Sequence, residues 1–151
     1  MPPPGTRWVY NPQRGGTTIP AAVRQRLEAR LQSRAEGAFG GQYRRLEVRF
    51  RGQFCYLDLH VEPSLPKGWR DPFGEESREQ ALERLRATPV HLCRLRYFRD
   101  EDALSFAFYS YASDRYEPAV FGSGDWVGSP EDALELSAMF HLESAGRQGS
   151  R

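Results

Sequence analysis

Residues 45–60 read RLEVRFRGQFCYLDLH. Apolar and polar residues alternate on both sides of Gly52, and alternation with a period of two predicts β-strands that each bury one face. A glycine between two such runs favours a tight turn, so the stretch predicts a β-hairpin. Its apolar side chains share one face, and its charged and aromatic side chains share the other. The rest of the fold prediction is built outward from this hairpin.

The turn of this hairpin can be placed in two ways, and side-chain pairing distinguishes them. A loop at 51–52 puts Arg45 opposite Asp58, which is a pair of opposite charges. A loop at 52–53 puts Glu47 opposite Asp58, and like charges directly across two strands are destabilising. The charge argument therefore predicts the first register.

Patterns outside the hairpin predict three helices and four further strands. In the first helix Val23, Leu27 and Leu31 repeat on one side, and Thr18 is its predicted cap; Ser129 caps the last helix. The predicted segments are helices over 18–39, 75–87 and 129–142, a hairpin over 90–111 with its loop at 99–102, and a shorter hairpin joining 117–121 to 125–127.

The predicted order of elements is α-β-β-α-β-β-β-β-α. Strands that are grouped between helices, and that alternate rather than run continuously apolar, are typical of an α+β fold. We therefore expect an antiparallel sheet of four to six strands, a hairpin meander, with two to three helices packed on one face. Composition predicts an extended N-terminal segment over 1–16, a single α+β domain over 17–142 and a flexible C-terminal tail over 143–151.

The charge of the chain is unevenly distributed, although the 151 residues sum to only +1. Residues 1–60 hold 10 basic and 4 acidic side chains, whereas residues 61–151 hold 11 basic and 16 acidic ones. A basic half can indicate an anionic ligand, but two halves of opposite charge can also pair across one fold. The second interpretation is favoured, because charge runs are usually ordinary exposed faces.

The cysteines and the apolar runs of the sequence indicate in which cellular compartment the protein is expected. Cys55 and Cys93 fall in predicted strands without C-x-x-C spacing, so they predict buried free thiols in a reducing, cytoplasmic protein. No apolar run is long enough for a membrane span, and the first residues lack the apolar region of a secretory signal. The preference for arginine over lysine is typical of a GC-rich genome, and the overall character is that of a small bacterial protein.

The polar face of the predicted sheet is the first candidate site. It combines guanidinium groups with aromatic rings, and such faces bind single-stranded nucleic acid through phosphates and stacked bases. The same residue types are enriched at protein interfaces, so a protein partner or a second copy of the chain fits as well, as does an ordinary exposed face. The candidate residues are Arg45, Arg49, Tyr56, Arg94, Arg96, Phe98, Tyr109 and Tyr111.

A second candidate is a metal site on the same strand. Alternation places Asp58, His60 and Glu62 on one face, where oxygen and imidazole ligands could hold a divalent ion for a metal-dependent hydrolase or nuclease. Against this, Asp58 already has Arg45 as a predicted partner, and no second histidine lies nearby in the sequence. The metal site is therefore the alternative hypothesis.

The remaining candidates are weaker. Trp69 and Phe73 lie on a Pro- and Gly-rich loop, where exposed aromatics often contact a partner; the favoured interpretation is that Trp69 fills one end of the core. His91 is predicted on the apolar face of its strand and His141 near a helix end, both as structural residues. Neither these histidines nor the cysteines form a recognised catalytic motif, so no catalytic residue is nominated.

The sequence thus predicts a small cytoplasmic, non-catalytic binding module without a cofactor. Its arginine and aromatic sheet face is expected to contact a protein partner, a second copy of the chain or single-stranded nucleic acid, and not a membrane.

Overall fold

The computed structural model describes residues 12–149, with side chains described as far as Leu142. The described part of the chain forms three helices and six strands. Their bounds are α1 Ala21–Phe39, β1 Arg45–Arg51, β2 Phe54–His60, α2 Arg78–Ala87, β3 Val90–Arg96, β4 Leu104–Ser110, β5 Arg115–Ala119, β6 Val127–Gly128 and α3 Pro130–Gly149.

The strands form one antiparallel sheet in the order β1-β2-β3-β4-β5, with β6 paired to the start of β4. Helices α1 and α3 contact each other and pack on one face of the sheet, α1 against β1 and α3 against β3 and β4. The core lies between these two layers. The predicted α+β fold, with its hairpin meander and its order of elements, is confirmed. The segment 1–16 and the tail 143–151 fall largely outside the described side chains, and their predicted character stays a prediction.

Helix α1 buries one side because its apolar residues recur at every fourth position, which returns to the same face after about one turn. Its buried residues are Val23, Leu27, Leu31, Ala35 and Phe39. Thr18 does not cap this helix, contrary to the prediction, since Pro20 occupies the cap position without a side-chain hydrogen bond. The N–H groups of Thr17 and Ile19 donate instead to the carbonyls of Tyr97 and Gly52, so this segment is extended along the sheet.

The other two helices begin at serine caps. Asp132 N donates to Ser129 Oγ at 3.1 Å, which confirms the predicted start of α3. Helix α2 begins three residues later than predicted. Ser77 is its cap in a reciprocal capping box with Gln80, whereas the N–H of Glu75 donates to the Asp71 side chain ahead of the helix.

The register of the β1–β2 hairpin differs from the prediction. Glu47 lies opposite Asp58, so the loop is Gly52-Gln53 rather than 51–52. Gly52 has φ +59° whereas the φ of Gln53 is not positive, and a two-residue loop with positive φ only at its first position is a type II′ turn, which favours glycine there. Arg49 relieves the like-charge pair, because its Nε lies 2.7 Å from Asp58 Oδ2 and 3.7 Å from Glu47 Oε2. The slip is two residues, so each side chain keeps its predicted face.

The second hairpin has its predicted register, with Leu95 opposite Phe106. The third predicted hairpin is wrong, since β5 and β6 do not pair with each other. Both pair with β4, which is long enough to bind β6 at Leu104 and β5 from Phe106 onward. Pro118 is accommodated because β5 is an edge strand, where a missing N–H need not break a ladder.

Basic residues of the first half of the chain form ion pairs with acidic residues of the second half. Arginines of α1 pair with acidic residues of α3, through Arg30–Glu131 at 2.7 Å and Arg34–Glu135 at 2.9 Å. Arg26 also lies 3.1 Å from Glu101 in the loop before β4. These contacts support the interpretation that the two halves pair across one fold.

The Arg30–Glu131 bridge predicts an acid sensitivity. The hydrogen bond from Arg30 lowers the pKa of Glu131 below its ordinary value of 4.5. The stability that this bridge contributes is therefore fully present above about pH 4.5 and is lost as the pH falls through the lowered value in the folded protein. We expect urea unfolding to show Glu131→Gln less stable than the parent at pH 6, with the gap narrowing towards pH 3. A gap that stays constant across this range would contradict the assignment.

Both cysteines are buried and free, as predicted. Burial raises the pKa of the Cys93 thiol to about 12, so it is an inert core group. Within residues 12–149 no helix is both long and apolar enough to cross a membrane.

Candidate binding face of the sheet

The sheet has a second face, turned away from α1 and α3, which we call the distal face. Alternation along the strands places there Arg49 of β1, Tyr56 of β2, Arg94 and Arg96 of β3, and Tyr109 of β4. Tyr111 follows β4 and contacts Tyr109. Arg45 lies at the β1 edge of this face, where it is bonded to His60 and Glu47. Strand pairing thus brings the sequence-predicted arginines and tyrosines together on one side.

Guanidinium groups and rings on the distal face lie directly against one another. The Arg49 guanidinium lies 5.0 Å from the centre of the Tyr56 ring, and Arg94 lies 4.6 Å from that of Phe54. Arg96 lies 4.8 Å from the same Phe54 ring. These are cation–π distances, and they hold the cations at fixed positions beside aromatic surface.

Arg94 and Arg96 lack carboxylate partners among residues 12–142. The Arg94 guanidinium lies against the rings of Phe54 and Tyr116, and Arg96 donates to the carbonyl of Gly15 at 2.9 Å. Burial lowers the pKa of Arg96, and the charge of Arg94 lowers it further. Two neighbouring cations therefore remain without a neutralising side chain in the described part of the protein.

Four tyrosines form a continuous series beside these arginines. Ring centres are 5.6 Å apart for Tyr56–Tyr116, 5.0 Å for Tyr116–Tyr109 and 4.8 Å for Tyr109–Tyr111, and all three pairs are edge-to-face. A hydrogen bond to Asp114 raises the pKa of Tyr109 to about 12, and burial raises that of Tyr116. The phenols of Tyr109 and Tyr116 are therefore neutral at physiological pH. Tyr111, which is 56% exposed, presents the most open ring.

A buried carboxylate lies at the centre of the distal face. Asp58 is only 2% exposed, and it accepts hydrogen bonds from Arg49 Nε and from His91 Nδ1, each at 2.7 Å. The His91 ring lies against Tyr109 and Tyr111, and its backbone N–H donates to the Tyr111 hydroxyl at 2.8 Å. A buried charge needs hydrogen-bond partners, and Asp58 in turn holds the side chains of Arg49 and His91 in place.

His91 reaches this position through a β-bulge. Leu57 pairs with Cys93 but Asp58 pairs with His91, so Leu92 is an extra residue in β3. The bulge reverses the alternation and moves His91 from the apolar face, where it was predicted, to the distal face. The sequence holds one local signal of this bulge, the adjacent apolar residues Leu92 and Cys93, which break the alternation of β3.

Two aromatic residues of the distal face were not among the predicted binding residues. Phe54 lies under both Arg94 and Arg96, and its alternation with Cys55 already indicated its face. Tyr116 is paired with Tyr109, but the strand that holds it was predicted to begin only at residue 117.

The residues of the metal hypothesis have separate partners. His60 Nε2 lies 3.0 Å from Glu47 Oε1, and Asp58 is bonded to Arg49 and His91. Glu62 forms ion pairs with Arg86 at 2.8 Å and with Arg44 at 3.4 Å. Among the described residues no group of three or more His, Cys, Asp or Glu side chains is placed to hold a metal ion. The geometry does not favour a metal centre at these three residues.

The loop that holds Trp69 and Phe73 lies apart from the arginines of the distal face. Phe73 is 83% exposed, and Trp69 is half-buried but is not among the residues packed against the main core. The favoured interpretation, that Trp69 fills one end of the core, is therefore wrong. The Asp71 carboxylate organises the loop by accepting the N–H of Phe73 at 3.0 Å. Partner contact by this loop stays a prediction.

The arrangement as a whole can bind an anion through arginines and flat rings through tyrosines. Comparison of the chain with protein-family models, with curated proteins and with solved structures found no match.

Proposed function

We propose that the protein is a binding module that holds single-stranded nucleic acid on its distal face. The observation that carries the proposal is the pair Arg94 and Arg96, half-buried cations with aromatic contacts and without a carboxylate partner among the described residues. A phosphate backbone supplies the missing negative charge at regular intervals, and its bases supply rings that stack on aromatic side chains.

Single-stranded nucleic acid fits this face better than the other partners considered. A protein or a second copy of this chain would have to bring unpaired carboxylates to Arg94 and Arg96. Two acidic residues of α3, Glu131 and Glu135, are already bonded to arginines of α1. A cytoplasmic location, expected from the free buried thiols, belongs to this proposal, since nucleic acid and a reducing environment occur together there.

The proposal predicts a loss of affinity that depends on salt. Fluorescence anisotropy with a labelled single strand of about 12 nucleotides is expected to show binding that weakens steeply with salt. The double variant Arg94→Ala with Arg96→Ala loses two phosphate contacts. The negative slope of log K, the association constant, against log salt is therefore expected to become shallower by about 1.4. Thermal unfolding of the double variant establishes that it is folded.

Arg70→Ala with Arg115→Ala is the matched control, because it removes the same charge from exposed positions off the distal face. We expect its slope to remain that of the parent. An absence of binding by the parent at low salt overturns the proposal. Equal losses of affinity in the two double variants would mean that the strand is held by unspecific charge attraction and not by the distal face. A dimer that forms with increasing concentration in light scattering would identify a second copy of the chain as the partner instead.

A further inference from the structure

We propose that the distal face also cleaves the RNA it binds, with His91 as the general base that takes the proton of a ribose 2′-hydroxyl. This inference rests on the proposed nucleic-acid binding and goes beyond the non-catalytic role expected from the sequence. It is carried by the hydrogen-bonded pair of Asp58 and His91 at the centre of the distal face.

Asp58 determines which nitrogen of His91 is free. An ionised carboxylate only accepts hydrogen bonds, so the Nδ1 that lies 2.7 Å from Asp58 Oδ1 carries the proton and donates it. In the neutral imidazole the other nitrogen, Nε2, then holds a lone pair. A histidine oriented in this way by a buried carboxylate is the usual form of a general base.

The Nε2 atom of His91 is open to a substrate. It has no hydrogen-bond partner among the described residues, and it is not one of the buried unpaired atoms, in contrast to Nε2 of His141. About a third of the His91 side chain is exposed. Contacts with Tyr109 and Tyr111, at ring distances of 4.9 and 6.5 Å, hold the ring in place while this edge remains accessible.

Arg49 supplies the positive charge that a reacting phosphate needs. Its Nε is bonded to Oδ2 of the carboxylate whose Oδ1 holds His91, so the guanidinium and the imidazole flank Asp58. The two terminal nitrogens of Arg49 make no hydrogen bond to the described residues. They can therefore donate to phosphate oxygens, where charge increases in the transition state.

RNA is the substrate class because it contains its own nucleophile. The proton of the 2′-hydroxyl passes to His91 Nε2 while the 2′-oxygen forms a bond to phosphorus. The bond from phosphorus to the 5′-oxygen breaks, and that oxygen takes a proton from water. The hydroxide left behind recovers the proton from His91. The products are a 2′,3′-cyclic phosphate and a 5′-hydroxyl, and no metal or redox partner is needed. DNA lacks the 2′-hydroxyl and would be bound but not cut.

The test is cleavage of a fluorescent RNA single strand by the full chain in the presence of EDTA, with the cyclic phosphate identified by mass spectrometry. In His91→Asn the amide keeps a donor towards Asp58 but has no basic nitrogen. We expect its cleavage rate to fall on the order of a hundredfold or more, while its affinity for the strand stays within about twofold. His141→Asn, which removes a histidine outside the pair, is expected to cleave like the parent.

Each outcome decides between the two proposals. Binding of RNA by the parent without a cyclic product overturns the catalytic inference and leaves nucleic-acid binding standing. Cleavage that is equal in the parent and in His91→Asn identifies a contaminating nuclease and also overturns it. Failure of the parent to bind either RNA or DNA overturns the proposed function itself, and cleavage of RNA but not of the matching DNA supports both.

Discussion

Phe106→Ala is expected to lower the free energy of unfolding by about 3–5 kcal/mol. Phe106 is fully buried in β4, and its ring centre lies 4.7 Å from that of Phe108 and 5.2 Å from that of Phe121. Truncation removes the ring and leaves a cavity where β4 meets the segment after β5, which the neighbouring strands can fill only in part. Urea unfolding followed by circular dichroism measures the change.

Phe73→Ala is the control for this prediction, since it is the same substitution at a side chain that is 83% exposed. We expect the control to change stability by no more than about 0.5 kcal/mol. Similar losses of stability in Phe106→Ala and Phe73→Ala would mean that the core is not centred on the rings of Phe106, Phe108 and Phe121.

Gly16→Ala is expected to destabilise the protein by roughly 2–4 kcal/mol, for two reasons that act together. Gly16 has φ +102°, which side-chain-bearing residues rarely adopt. A Cβ there would also lie 2.8 Å from the carbonyl oxygen of Tyr97, a backbone atom that is held by the hydrogen bond from Thr17 N. The segment before α1 would have to move away from the sheet.

Gly15→Ala separates the two causes. Gly15 has φ +75°, but nothing lies within 4 Å of its Cβ position, so only the backbone strain of about 1 kcal/mol is expected. Thermal and urea unfolding of the two variants side by side give the difference, which reports the contact with Tyr97. If Gly15→Ala were the more damaging change, the close packing of this segment on the sheet would be refuted.

The features that follow from local alternation could be predicted from the sequence. The period-two pattern of residues 45–60 assigned every side chain of that hairpin to its correct face, and the pattern around Leu95 and Phe106 gave the correct register of the next one. The register of the first hairpin could not be derived from charge pairing. The turn geometry of Gly52 outweighed a like-charge pair that Arg49 neutralises.

Features that depend on distant pairing could not be predicted. The pairing of β5 with β4, rather than with the strand after it, is decided by which edge is free once the sheet has formed. The position of His91 depends on the extra residue in β3, whose only trace in the sequence is the adjacent apolar pair Leu92-Cys93, and that pair alone does not show how β3 aligns with Asp58 of β2. The arginines of the distal face and its tyrosines other than Tyr116 were therefore identified from sequence, whereas the Asp58–His91 pair at its centre was not.

The single additional residue at Leu92 decides which side of the sheet the imidazole faces. Because Asp58 pairs with His91 across this extra residue, deleting the Leu92 codon would join His91 directly to Cys93 and leave it opposite Asp58, on the distal face. The deletion would instead remove a side chain that is fully buried. A descendant shortened at this point would therefore lose core packing while its surface kept the same arrangement, whereas a strand of unchanged length that lost the irregularity would turn the imidazole inward.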